Sequence, residues 1–142
     1  MLRYVLDTDV VVAAMRSPTG ASAALLGEAL GQRLIMLASV PLFFEYEAKC
    51  TSRTHWMAAE LNQEQALVFV NGLTVLIEPV KTHFLWRPFL RDPNDEMVLE
   101  VAVNGQADAI VTFNVRDYGN VPDMFNIAVI NPADALRRVR NG

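Results

Sequence analysis

The sequence predicts an α/β fold with a central, mainly parallel sheet, because short apolar runs alternate along the chain with segments of helical periodicity. Strands are predicted at Tyr4–Leu6, Leu34–Ala38, Thr74–Val80, Ala107–Phe113 and Ile127–Ile130. Short continuous apolar runs of this kind are typical of strands that helices cover on both faces. The hydrophobic content of 52% and charged content of 20% indicate a globular chain rather than a disordered one.

Chain length and cysteine content narrow the class of protein. A chain of 142 residues favours a single domain, residues 1–142, and is long enough to bury a core. Cys50 is the only cysteine, which excludes an intramolecular disulfide and argues against a disulfide-stapled secreted protein. No signal-peptide pattern or membrane-length apolar run is visible, so we expect a cytoplasmic protein that does not enter a membrane.

The charge balance is mildly acidic. A net charge of −4 argues against a protein that coats nucleic acid through bulk positive charge. It still allows a nucleic-acid enzyme whose acids cluster in one site while its basic residues lie around the rim.

The first predicted strand leads directly into the acid-rich sequence Asp7-Thr8-Asp9. We expect Thr8 or Asp9 to cap a helix over Val10–Met15, which places Asp7 at the carboxyl end of a parallel strand. Open α/β sheets bind ligands at this edge. A buried acid there needs a cation or hydrogen bonds to compensate its desolvation. The alternative is that Asp7 and Asp9 are only loop and cap residues.

Helices are predicted between the next strands, each with a recognisable start or stop. They cover Ala21–Gly31, Val40–Cys50, Trp56–Leu61 and a segment from Asn62 to near Gly72. Gly31 is a typical helix stop, and Ser39 is expected to cap the helix that starts at Val40. Asn62 and Gln65 form a capping-box pattern.

Glu45 lies among apolar residues early in the helix Val40–Cys50. One interpretation is a surface acid that pairs with Lys49 four residues later. The other is that Glu45 points back at the sheet edge, toward Asp7.

The second half of the chain contains two more polar clusters at the ends of predicted elements. Arg91–Glu96 precedes an apolar helix that stops at Asn104–Gly105, and it holds three acids within five residues. The helix macrodipole favours acids in a first turn, but three exceed what capping needs. The strand Ala107–Phe113 ends in Asn114–Gly119, and a C-terminal helix begins at Pro132.

These polar groups are expected to meet at one edge of the sheet. Asp7 and Asn114 or Asp117 follow strands, and Glu45 and Asp95 lie in the first turns of helices. Neighbouring carboxylates repel one another unless they are protonated or hold a cation. Oxygen ligands without a His or Cys cluster fit Mg²⁺ or Mn²⁺. Such a site suits metal-assisted hydrolysis of a phosphodiester bond.

At these positions the chain resembles PIN-domain ribonucleases, most closely those that are toxins of type II toxin–antitoxin pairs. The matching segments, in the order found in the family, are Val5–Val10, Ser39–Tyr46, Arg91–Ala102 and Ala107–Tyr118. The resemblance implies an α/β/α sandwich and Mg²⁺- or Mn²⁺-dependent cleavage of single-stranded RNA. It also implies a homodimer and a cognate antitoxin. A segment of the antitoxin would lie over the predicted cluster of acids and place an arginine there.

The resemblance also implies roles for individual residues. Asp7, Glu45 and Asp95 match the first three acids of the family, and the fourth position falls at Asn114 or Asp117. The implied catalytic and metal-binding set is Asp7, Glu45, Asp95 and Asp117, with Glu45 orienting water. Asp92 is an implied helper. Thr112 would hydrogen-bond to the first acid.

Two positions depart from the family pattern. Asp9 stands where Asn or Ser is frequent, and Asn114 stands where many members have Asp. The hypothesis that follows is that Asp9 compensates for the charge missing at Asn114.

Candidate RNA contacts are less specific. Basic residues are the usual partners of phosphates, although each could equally belong to an ordinary solvated surface. The candidates are Lys49, Arg53, Arg87, Arg91, Arg116 and the C-terminal arginines. Trp56 and Trp86 could stack on bases or pack in the core, and a metal role for the isolated His83 is not expected.

Two other functions remain open on the sequence alone. The opening motif Val5–Val11 also resembles that of haloacid-dehalogenase-like phosphatases, but Glu45 and Asp95 have no place in that mechanism. The second alternative is a non-catalytic RNA- or protein-binding module whose acids are vestigial.

Overall fold

The computed structural model describes residues 1–83 and 90–142, so Trp86 and Arg87 lie outside the described residues. The strands in these ranges are β1 (Arg3–Leu6), β2 (Ile35–Ala38), β3 (Ile77–Pro79), β4 (Ala109–Val111) and β5 (Ala128–Ile130). They form a five-stranded sheet in the order β3-β2-β1-β4-β5, and every pairing is parallel. The predicted parallel sheet is confirmed.

Helices connect the strands and cover both faces of the sheet. They are α1 (Thr8–Arg16), α2 (Ala21–Leu30), α3 (Val40–Cys50), α4 (Arg53–Ala58), α5 (Gln63–Leu76), α6 (Pro93–Asn104), α7 (Val121–Phe125) and α8 (Pro132–Asn141). Crossovers lead outward from β1 to β2 and β3 on one side, then return to β4 and β5 on the other. Because such crossovers are right-handed, the reversal places helices on opposite faces and produces the α/β/α sandwich.

The central strand β1 positions the site. Val5 pairs with Leu37 on one side and Ile110 on the other, and all three side chains are buried. After β1 the chain adds β2 on one side of this strand, whereas β4 later pairs with its other side, also in parallel. Open α/β sheets form their ligand crevice at this reversal, outside the carboxyl ends of the strands.

Several element boundaries differ from the sequence prediction. Among them, α4 spans Arg53–Ala58 rather than Trp56–Leu61, and β4 covers only Ala109–Val111 of the predicted Ala107–Phe113. Asp7 itself caps α1, which begins at Thr8 rather than Val10, so Thr8 and Asp9 lie inside the helix. The predicted strand Thr74–Val80 is wrong over its first three residues, because α5 continues through Leu76. Ile77–Pro79 pair with β2, and the backbone N–H of Val80 also donates to the Ala38 carbonyl oxygen at 2.9 Å. Val75 has a high β propensity but lies exposed in the helix.

The connection between β4 and β5 also contains structure that the sequence did not predict. A 3₁₀ turn spans Val115–Tyr118, and the short helix α7 follows it. The turn is important for the site, because it returns Tyr118 to the core, where its hydroxyl lies 3.1 Å from Asp7 Oδ2.

No single helix within residues 1–83 and 90–142 is long and apolar enough to cross a membrane. The helices α1 and α2 meet the length and composition criterion only as a pair, with a bend of 97° between them.

Candidate active site

A cleft of about 560 Å³ opens at the carboxyl edge of the sheet. Six acidic side chains line it, and we refer to it as the acidic cleft. They are Asp7, Asp9, Glu45, Asp92, Asp95 and Asp117. The whole catalytic and metal-binding set inferred from the sequence therefore lies around one cavity, with Asn114 also in its wall.

Asp7 is held by three hydrogen bonds. Its Oδ1 accepts the Thr8 backbone N–H at 2.8 Å. Its Oδ2 accepts the hydroxyl of Thr112 at 2.8 Å and that of Tyr118 at 3.1 Å. The side chain is only 7% exposed, and this burial raises the pKa of Asp7 against the opposite effect of the three donors. The contact implied for Thr112 is present.

Tyr118 is one of the residues around the candidate site that the sequence did not predict, and Arg16 and Phe113 in the cleft wall are others. Tyr118 is fully buried, and burial together with Asp7 and Asp95 raises the pKa of its hydroxyl. The hydroxyl is therefore neutral and donates a hydrogen bond to Asp7. The only signal in the sequence is that a tyrosine ends the polar cluster after β4. This position does not predict that the Tyr118 side chain points toward Asp7.

Asp9 is hydrogen-bonded to Asn114, the other position that departs from the family pattern. Its Oδ2 accepts the Phe113 backbone N–H at 3.1 Å and the Asn114 side-chain amide at 3.2 Å. Its Oδ1 is buried and has no hydrogen-bond partner among the described residues. Burial and the nearby charge of Asp7 raise the pKa of Asp9 to about 6. Donors at Phe113, Val10 and Thr112 lower the pKa of Asp9, but burial and the charge of Asp7 outweigh them, so the ionised carboxylate is incompletely compensated.

The first turn of α6 presents two acids. Asp92 caps the helix by accepting the Asn94 backbone N–H at 2.8 Å, and Pro93 occupies the first helical position. Asp95 follows in the same turn and is 8% exposed. Burial, followed by the charges of Asp7, Asp92 and Asp117, raises the pKa of Asp95 to about 6. Uncompensated negative charge therefore accumulates between α1 and α6.

Glu45 satisfies both interpretations left open by the sequence. Ser39 caps α3 by accepting the Leu42 backbone N–H at 3.2 Å, which sets the turn on which Glu45 lies. Asn94 donates its side-chain amide to Glu45 Oε1 at 3.4 Å, and Lys49 Nζ lies 3.9 Å from the same oxygen. The side chain therefore faces the acidic cleft and also pairs loosely with Lys49.

The candidate RNA contacts divide into two groups. Lys49 lines the acidic cleft, whereas Arg91 and Arg116 line a side cavity of about 480 Å³ that shares Asp92, Asp95 and Asp117 with it. Arg53 lines neither of these cavities, and its Nε contacts Met57 Sδ at 3.3 Å.

The other candidates lie away from the acids. Trp56 packs against the hydrophobic core. In the C-terminal helix, Arg137 pairs with Asp134 and Arg140 pairs with Glu28. The backbone N–H of His83 donates to Asn104 Oδ1 at 3.2 Å.

The donor set of the acidic cleft fits a hard divalent cation. All of its acidic groups offer oxygen, which Mg²⁺ and Mn²⁺ prefer. The unpartnered Oδ1 of Asp9 and the raised pKa values of Asp7, Asp9 and Asp95 indicate charge that a cation would compensate. Across the described ranges, no three Asp, Glu, His or Cys side chains are already grouped around one metal position. Binding would therefore draw carboxylates together from the cleft walls.

Comparisons with known proteins agree with the fold. A family model described as the PIN domain matches residues 3–116. The chain is also similar to one in the crystal structure of VapBC2 from Rickettsia felis bound to a DNA fragment from their promoter, with a TM-score of 0.64. That match covers 92% of this chain and 98% of the other at 17% identity, which shows a shared fold. No curated protein sequence matches the chain.

Proposed function

The chain belongs to the PIN-domain family, and from that premise we propose that it is a metal-dependent endoribonuclease acting on single-stranded RNA. The observation that carries the proposal is the wall of six carboxylates at the point where the strand order reverses. Family membership favours this function over a haloacid-dehalogenase-like phosphatase, for which the opening motif was the only indication.

In the proposed mechanism, the ion is Mg²⁺ or Mn²⁺, and the residues that would hold it are Asp7, Glu45, Asp95 and Asp117. The bound ion would supply Lewis-acid activation of the phosphate and of water. Glu45 orients the attacking water, and its hydrogen bond from Asn94 restricts the carboxylate to the cleft side of α3.

The supporting residues act on the ligands rather than on the substrate. Thr112 and Tyr118 fix the orientation of Asp7. Asp92 fixes the start of α6, so that Asp95 lies on the turn that faces Asp7. Asp9 adds the negative charge that Asn114 lacks, and the two side chains are hydrogen-bonded. Lys49, Arg91 and Arg116 are proposed to contact phosphates.

We further propose that the chain is a toxin with a cognate antitoxin, and that it forms a homodimer. The similarity to VapBC2 supports the antitoxin partner. An arginine from such a partner would find several carboxylates in the acidic cleft. If the proposal is right, expression of the chain arrests growth, Asp7→Asn abolishes the arrest, and the product of an adjacent small reading frame relieves it.

RNA cleavage by the purified chain tests the enzymatic proposal. With Mg²⁺ or Mn²⁺ we expect cleavage of single-stranded RNA, and EDTA should abolish it. Asp7→Asn should reduce the rate by more than about a hundredfold, since loss of even an outer-shell partner can have an effect of that size. The readout is the appearance of cut fragments from end-labelled RNA.

Asp123→Asn is the matched control, because it removes the same charge from an exposed position on α7 outside both cavities. It should leave the rate unchanged. Cleavage that persists in EDTA, or in Asp7→Asn, would contradict the proposal. A folded chain that binds no metal and cuts no RNA would favour the binding module with vestigial acids.

A further inference from the structure

We infer that the acidic cleft continues into a nucleotide-binding subsite, in which Arg16 and Lys49 contact backbone phosphates and Phe113 stacks on a base. The subsite would hold the single-stranded segment that flanks the cut phosphate. The inference rests on the proposed function and specifies how that site recognises its substrate.

The helix α1 runs along the cleft and places acids at one end of it and a cation at the other. Asp7 and Asp9 lie at its N-terminus, whereas Arg16 lies at its C-terminus, and all three line the same cavity. At about 1.5 Å of rise per residue, Arg16 is roughly 10–14 Å from the two acids along the helix axis. Stacked nucleotides rise about 3.4 Å each, so this distance corresponds to about three or four nucleotides.

A second helix adds positive charge to the cleft. Lys49 lies one helical turn beyond Glu45 on α3, and His55 on α4 also lines the cavity. The Lys49 ammonium is 3.9 Å from Glu45, which is at the limit of an ion pair and leaves its other donors available. The cavity therefore joins acids that would hold a metal to cations that would hold phosphates.

Arg16 differs from the arginines that stabilise the fold. Arg3, Arg33 and Arg140 all pair with carboxylates on other elements or turns. Within the described part of the chain, Arg16 makes neither an ion pair nor a side-chain hydrogen bond, although it is exposed on the cleft wall. A guanidinium that lines the same cleft as the acids but pairs with none of them is suited to a phosphate ligand rather than to an internal contact.

Phe113 supplies an aromatic surface between the acids and the solvent. It directly follows β4, and its backbone N–H is held by Asp9 at 3.1 Å. The side chain lines the cleft and yet is 53% exposed, whereas its neighbour Thr112 is fully buried. Exposed aromatic rings in charged grooves stack on bases without requiring a particular sequence. An acidic peptide could satisfy the cations, but its carboxylates have no planar ring to cover Phe113.

Fluorescence anisotropy with a labelled single-stranded RNA in EDTA tests the subsite without depending on cleavage. Arg16→Ala should weaken binding several-fold and reduce the slope of log affinity against log salt by about 0.7, the value for one phosphate contact on a single strand. Phe113→Ala should weaken binding about tenfold without changing that slope, since stacking releases no counterion. Phe113→Trp should restore the affinity.

Two matched variants control for charge and exposed aromatic area. Arg33→Ala removes an arginine that pairs with Glu28 and lines neither cavity. Phe44→Ala removes a ring that is 58% exposed but lines neither the acidic cleft nor the side cavity. Both should leave affinity and salt slope unchanged.

The outcomes separate this inference from the proposed function. If the wild-type chain cuts RNA but Arg16→Ala and Phe113→Ala bind as tightly as wild type, the subsite is wrong and the nuclease remains. If no RNA is cut but both variants lose affinity as described, the subsite remains and the nuclease is wrong. No saturable RNA binding by the wild-type chain, or a Phe113→Trp variant no better than Phe113→Ala, would overturn the subsite.

Discussion

Asp7 illustrates how single hydrogen bonds direct a carboxylate. Each carboxylate oxygen can accept two hydrogen bonds in the plane of the group. Oδ2 already accepts two hydroxyls, whereas Oδ1 accepts only the Thr8 N–H. The remaining acceptor position of Asp7 is therefore on Oδ1. Thr112 and Tyr118 cause this, because their hydroxyls occupy both acceptor positions of Oδ2.

The Tyr118→Phe variant tests this positioning role. Phe fills the same buried space but lacks the hydroxyl, so Asp7 gains rotational freedom. We expect the affinity for Mn²⁺ to fall by roughly tenfold, as for other second-layer partners of a metal ligand. Isothermal titration of the chain with Mn²⁺ measures the change.

Tyr4→Phe is its control, because the Tyr4 hydroxyl is equally buried but donates to the Ala135 carbonyl oxygen at 3.0 Å, away from the cleft. Each variant should lose about 1 kcal/mol of unfolding free energy for one hydrogen bond. Only Tyr118→Phe should change Mn²⁺ affinity, and equal effects of the two variants on Mn²⁺ binding would argue against the positioning role.

At the scale of elements, the two helices that carry Glu45 and Asp95 begin in the same way. A capping side chain, Ser39 or Asp92, precedes a proline in the first helical turn of each. The cap determines the residue at which the helix starts, and the start determines which later side chains face the cleft. The sequence predicted the Ser39 cap correctly. It predicted a cap at Thr8 or Asp9 wrongly, because a candidate site acid, Asp7, also serves as the cap of α1.

Gly105 shows how closely α6 is packed against the sheet. A Cβ atom at this position would lie 2.9 Å from the Val101 carbonyl oxygen and from Val80 Cγ2, and 3.1 Å from Leu37 Cδ1. Gly105→Ala should therefore lower the unfolding free energy by about 1–3 kcal/mol, as for other overpacked positions. Urea unfolding followed by circular dichroism measures the loss.

Gly72→Ala provides the opposite case in the same chain. Gly72 lies inside α5 with open space around its Cα, so alanine should raise stability by up to about 1 kcal/mol through helix propensity. Equal and unfavourable effects at both glycines would show that close packing at the end of α6 is not the cause.

At the scale of the whole molecule, the fold concentrates negative charge that the metal-free chain does not compensate. Asp9 and Asp95 have pKa values raised from 3.8 to about 6. Between about pH 4 and pH 6 the folded chain therefore binds more protons than the unfolded chain does, so these groups favour the fold at low pH and this stabilisation is lost as the pH rises through 6.

A divalent cation should reverse this trend, because it binds the ionised carboxylates. In EDTA we expect the ionisation of these acids to lower the Tm between pH 5 and pH 7. Mn²⁺ should raise the Tm more at pH 7 than at pH 5. Differential scanning fluorimetry across this range provides the measurement.

The Asp9→Asn variant should show a shallower decline in EDTA, because it lacks one of the carboxyls whose pKa the fold raises. It should also bind Mn²⁺ less tightly if Asp9 compensates for Asn114. A Tm that is flat from pH 5 to pH 7 in wild type and variant alike would contradict the role of these acids, and an unchanged Mn²⁺ affinity would remove support for the compensation.

The single-domain organisation and the cytoplasmic location stay predictions, as do the catalytic roles of Asp7, Glu45, Asp95 and Asp117.

The sequence by itself determined the strand–helix alternation, the parallel sheet and the acids that belong to one edge. These features depend on periodicity, caps and strand ends, which arise between near neighbours in the chain. The family resemblance implied the contact of Thr112 with Asp7, whereas only the tertiary structure decided that of Tyr118, across 111 positions of sequence. The same holds for the pairing of Asp9 with Asn114 and for the shared wall of Arg16 and Phe113. Such contacts depend on strand order and on the path of a 3₁₀ turn, and no local pattern in the chain encodes either one.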